Sequence, residues 1–106
     1  MPTPYDDWSD VDGESDLDAM LRALADPVRR YILELLRDGQ GAAGDLAASA
    51  AARFGISTAR ASQHLQVLAR SGLVRVMHDG SWRWYGISVG AAGPVAEWMR
   101  GVELAR

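Results

Sequence analysis

The sequence predicts a mainly α-helical domain of mixed α+β class, with elements in the order α-α-α-α-β-β-α. Three observations carry this order. Apolar residues recur at spacings of three and four in four stretches between residues 16 and 70. After Gly72 the period changes to two, on either side of an Asp79-Gly80 turn. A last amphipathic stretch runs from about Gly93 to Leu104.

Leu17, Met20, Leu21 and Leu24 define the first helix, from Asp16 onward. Asp26-Pro27 ends it and opens the second, because Asp26 can cap free N–H groups and Pro27 fits the first helical position. In the second helix Val28, Ile32, Leu35 and Leu36 share a face, and Gly39 or Gly41 is expected to close it. An alanine-rich third helix spans about Ala42 to Arg53, anchored by Leu46 and Phe54. Gly55 breaks it. Ser57 is a suitable N-cap for a fourth helix that reaches Arg70 and stops at Gly72. Leu73–His78 and Trp82–Ser88 read as the strands of a hairpin, with Trp84, Tyr85 and Ile87 packing it on the core.

The 106 residues suffice for one domain, expected over 16–106, with an acidic, disordered arm at 1–15. Net charge is −3, but the average hides a division. Residues 1–18 hold seven acids and no basic residue; the rest hold eleven arginines against seven acids. There is no lysine. With no cysteine, disulfides, thiolate nucleophiles and thiolate metal sites are excluded. The chain shows no basic-then-apolar leader and no apolar run near the roughly 20 residues that span a bilayer. It is expected to be cytoplasmic, without a membrane partner.

Four helices followed by a hairpin and a helix make a winged helix-turn-helix with an added helix at each end. In that motif the second of the paired helices enters the major groove by its N-terminal half. Projected at about 100° per residue, Ala61, Leu65 and Leu68 of the fourth helix face inward. Ala59, Arg60, Gln63, Gln66 and Arg70 face outward, with Thr58 and Ser62 on the flanks and Ser57 at the cap. Surface helices usually carry Glu and Lys on such a face, yet no acid occurs from Ser57 to Arg70. Arg reads guanine, Gln reads adenine, and hydroxyls serve base or phosphate. On the hairpin, Arg75, Arg83 and Ser81 are placed to meet the sugar-phosphate backbone. This constellation points to double-stranded DNA.

The stretches LRALADPVRRYILELL (Leu21–Leu36), GDLA (Gly44–Ala47), FGISTARASQHLQVL (Phe54–Leu68) and SGLVRVMHDGSWRWY (Ser71–Tyr85) resemble the ArsR/SmtB family of bacterial winged-helix regulators. The resemblance implies a homodimer built from the first and last helices and binding to a palindromic operator at a promoter, as a repressor or autorepressor. It implies no catalysis. Members often sense metals through cysteines in the third helix, where this chain has Gly44-Asp45-Leu46-Ala47. A second family site uses His and acidic ligands on the last helices, where this chain has Glu97 and Glu103 but no His. The chain resembles the branch without these ligands, in which protein abundance, a partner protein or another ligand exerts control.

No cofactor is expected. His64 and His78 are the only imidazoles, and the residue pattern assigns them to packing and to the turn; a nickel- or zinc-responsive regulator using N/O ligands is the alternative reading. Another is a protein-interaction module whose acidic arm mimics DNA on a basic surface. An enzyme is not expected, since Ser62 and His64 point about 200° apart on one helix. Leu17, Met20, Leu21 and Leu24, with Val95, Trp98, Met99 and Val102, supply more apolar surface than one small core needs, and they are the expected dimer contacts.

Overall fold

The computed structural model describes residues 16–105. The acidic arm expected at 1–15 lies outside them, as does Arg106. The elements are α1 (Asp16–Leu24), α2 (Pro27–Leu35), β1 (Gly41–Ala42), α3 (Ala43–Phe54), α4 (Thr58–Arg70), β2 (Val74–Asp79), β3 (Trp82–Ile87) and α5 (Gly93–Leu104). Asp26 caps α2 as expected, accepting from the Val28 N–H at 2.7 Å with Pro27 in the first turn. The helix ends at Leu35, however, before either glycine expected to stop it. Leu35 itself is 40% exposed, while Val28, Ile32 and Leu36, at i, i+4 and i+8, are the buried face.

The turn between α3 and α4 depends on Gly55. The Gly55 N–H donates to the Ala51 carbonyl at 2.9 Å, and its left-handed φ of 67° turns the chain back so that the Ile56 N–H reaches the same carbonyl at 3.2 Å, which closes α3 and redirects the chain. Ser57 then accepts from the Arg60 N–H at 3.0 Å and starts α4. Tyr31 ties α2 to α3 through the Ser49 hydroxyl at 2.8 Å and an edge-on contact with Phe54.

The hairpin is antiparallel and joined by the two-residue loop Gly80-Ser81, with Val76 opposite Tyr85 and His78 opposite Arg83. A third strand, β1, was not expected. It pairs with β3 through Gly41 and Ala42, giving the sheet order β1-β3-β2. A side chain at Gly41 would meet the Leu46 side chain at 3.0 Å, so glycine lets the strand lie this close to α3 without displacing Leu46. The core gathers Ile32, Leu65, Leu68, Val74 and Tyr85, all fully buried. Each aliphatic side chain among them contributes about 1.5–3 kcal/mol by leaving water. Through this core, α2, α3 and the sheet hold α4 in place.

Candidate nucleic-acid interface

The inward face of α4 is the expected Ala61, Leu65 and Leu68, joined by Ala69 and His64. Burying five residues fixes the helix's rotation about its own axis. Thr58, Ala59, Arg60, Gln63 and Gln66 consequently stand exposed, with Ser62 half-buried beside them. No ion pair among the described residues engages Arg60 or Arg83. The N-terminal half of α4 therefore presents a guanidinium, amides and hydroxyls without a competing carboxylate.

Two predicted contacts lie elsewhere. Arg70 ends α4, about 18 Å along the axis from Thr58. There it lines a cleft with Asp16, Met20, Val89 and Pro94. The expectation that Arg75 and Arg83 share one surface is corrected by the register, which separates them. Arg75 is opposite Gly86, whereas Arg83 is opposite His78, so alternation puts the two arginines on opposite faces of the hairpin. Arg75 lies beside Gly86 and the 37–40 loop. Arg83 and Ser81 remain at the exposed wing tip. Alternation also corrects the packing of the wing. Tyr85 enters the core, but Trp84 turns to the other face and stacks on Trp82 at 5.9 Å, and Ile87 is partly exposed.

A polar hub that the sequence did not reveal supports α4 from behind. Arg29 donates to His64 Nδ1 at 2.9 Å, to the Ala23 carbonyl at 2.8 Å and to the Arg22 carbonyl at 3.0 Å. A guanidinium can only donate, so His64 Nδ1 is an acceptor and the ring is neutral with its proton on Nε2. Burial lowers the His64 pKa from 6.5, and the Arg29 and Arg60 charges lower it further against an opposing pull from Asp26. Burial raises the Asp26 carboxyl, but the Val28 N–H, His64, Arg29 and the Arg29 N–H together hold it below 3.8.

Both shifts act on the acid side. As pH falls below about 6.5 the unfolded chain protonates His64 and the folded chain resists, so stability drops until the lower folded pKa is reached. Asp26 adds stability above its unfolded pKa that is lost as pH falls through its folded one. Tm is expected to decline between pH 7 and 5, and His64→Gln is expected to flatten that slope. An unchanged slope in the variant would assign the acid response to another group. No three His, Asp or Glu side chains among the described residues come together as a metal-ligand set.

A second surface is apolar. α5 packs beside α1, yet none of its residues is buried. Trp98, Met99 and Val102 are half-exposed, as is Leu21 on α1. Leu24 and Val95 line an apolar groove with Leu33, Leu73 and Ile87, and Leu17 is partly covered. Met20 departs from the expected dimer set: at 8% exposure it belongs to the protomer's own core, against Gly72.

A capped helix-turn-helix with a basic outer face, buttressed by a hairpin wing, defines a winged helix-turn-helix DNA-binding regulator. Comparison with known proteins agrees. Residues 24–76 match a family model described as a helix-turn-helix domain. The transcriptional repressor SdpR of Bacillus subtilis (strain 168) is 31% identical over 80 residues, which cover 76% of this chain and 84% of SdpR. The crystal structure of the ArsR family transcriptional regulator RHA00566 is similar at a TM-score of 0.74 and 27% identity, over 84% of this chain and 93% of that one. The homodimeric winged helix-turn-helix domain of Mb0332 from Mycobacterium bovis, a possible ArsR-family regulator, gives 0.62 and 27%, over 86% and 90%. The chain belongs to the ArsR family of winged helix-turn-helix transcriptional regulators.

Proposed function

We propose that the protein is a cytoplasmic repressor that occupies a palindromic operator as a homodimer, with α4 in the major groove and the wing tip on the backbone. The observation that carries this is the acid-free, outward-facing N-terminal half of α4, held at a fixed rotation by its buried face. Arg60, Gln63 and Gln66 are the base-reading candidates, and Ser57, Thr58, Ala59 and Ser62 line the approach. Arg83 and Ser81 contact phosphate or sugar. SdpR being a repressor and Mb0332 being homodimeric support the sign of regulation and the stoichiometry. A twofold dimer would place its two reading helices in half-sites about 34 Å apart. The proposal assigns no catalysis.

The test is an anisotropy titration against DNA from the protein's own promoter and a scrambled duplex, at two salt concentrations. Arg60→Ala and Gln63→Ala are expected to lower discrimination by about 1–3 kcal/mol each where the contact is bidentate. Arg83→Ala is expected to weaken both duplexes alike and to reduce the slope of log K against log salt by about 0.9 per protomer, about 1.8 for the dimer. Arg75→Ala and Arg70→Ala should matter less, because these side chains leave the shared surface. Uniform loss from Arg60→Ala with selective loss from Arg83→Ala would reverse the assignment of reading head and clamp.

A further inference from the structure

We infer that the acidic segment 1–15 docks on the DNA-reading face of its own chain and competes there with the phosphate backbone. The inference rests on that face being the DNA surface proposed above, and adds what occupies it when DNA does not.

Charge complementarity is the first argument. Asp6, Asp7, Asp10, Asp12 and Glu14 are the only charged side chains of the segment. The face formed by the N-terminal half of α4 and the wing tip has Arg60 and Arg83 outside any ion pair among the described residues. No acid lies between Ser57 and Arg70, and Asp79, the one acid of the wing tip, forms no ion pair with Arg83 among the described residues.

Reach is the second. α1 begins at Asp16, which lines the cleft at the C-terminal end of α4 together with Arg70. From there the N-terminal end of α4 is about 20 Å away along the helix. Fifteen residues span up to about 50 Å when extended, so the segment covers that distance more than twice.

Which acids arrive is the third. At about 3.3 Å per residue, Asp6, Asp7 and Asp10 are far enough from Asp16 to span the roughly 20 Å to the N-terminal end of α4, whereas Asp12 and Glu14 stay nearer Arg70. Because the contact is electrostatic and exposed, it is strong at low salt and screened as the Debye length shrinks to a few ångströms.

The experiment compares the full chain, a chain lacking residues 1–15, and a full-length variant carrying D6N, D7N, D10N, D12N and E14Q. At about 50 mM salt both altered chains are expected to bind operator and scrambled DNA about five- to tenfold more tightly, and the difference should vanish near 0.5 M. Without DNA, amide spectra of the parent and the shortened chain should differ at Ser57–Ser62 and Arg83 at low salt and coincide at high salt. Equal affinities in all three chains would overturn the inference, and so would amide differences confined to another surface. Salt-sensitive differences on this face, with no selective DNA binding by any chain, would uphold the docking and overturn the operator reading instead.

Discussion

Trp98→Asp is expected to convert the protein to a folded monomer that releases its operator at concentrations where the parent saturates it. The argument begins with α5, twelve residues long without one buried in the protomer. Trp98 is 49% exposed and lies outside the protomer's core cluster, so its replacement leaves the buried core intact. In a twofold interface through α1 and α5, each copy contributes the indole and each variant copy a carboxylate. Loss of an aromatic anchor costs about 2–4 kcal/mol, and an unpaired carboxylate in its place costs more. Dimer dissociation should therefore strengthen at least about a thousandfold. Without the second reading head the operator loses the gain from linked half-sites, about 10²–10⁴ in affinity. Sedimentation velocity and the anisotropy titration measure the two effects, and far-UV circular dichroism checks that the monomer is folded. A variant that remains dimeric at full affinity would move the interface away from the last helix.

Legibility followed the range of the interaction. The helices, their caps and the hairpin were written locally: Asp26-Pro27, Gly55 with Ser57, and the change of period after Gly72 each act within a few residues. β1 was not legible, because two residues have no period and the strand exists only through its pairing with β3. Met20 looked like a dimer contact because an apolar side chain serves an internal core and an interface equally well. The separation of Arg75 from Arg83 could have been read. A two-residue loop at Gly80-Ser81 makes Asp79 oppose Trp82, and counting back by alternation places the two arginines on opposite faces. The pairing of Arg29 with His64, 35 residues apart, carries no local signature.

Arg29→Ala tests that pairing and is expected to lower Tm more than any exposed substitution. The side chain is only 14% exposed and crosses from α2 to three acceptors on other elements. Two are carbonyls at the end of α1, where the helix leaves its last acceptors without intrahelical partners. Arg30 takes a third, the Leu24 carbonyl at 2.7 Å, so two consecutive arginines of α2 close α1 in place of a terminal glycine. The remaining acceptor is His64, on the buried face of α4. Removing the guanidinium thus loosens α1 and the seat of α4 together. Hydrogen bonds to a charged donor contribute about 1.5–3 kcal/mol, and some of the freed acceptors regain water, so a net loss of about 2–3 kcal/mol is expected. For a domain this small that corresponds to roughly 10–20 °C in Tm. Arg29→Lys should recover little, since one ammonium cannot reproduce the planar fork that reaches separate acceptors. The double variant with His64→Gln separates the shared bond from the rest. Coupling of about 1 kcal/mol or more would show that Arg29 and His64 act as one unit, whereas simple additivity would leave Arg29 as a helix cap alone.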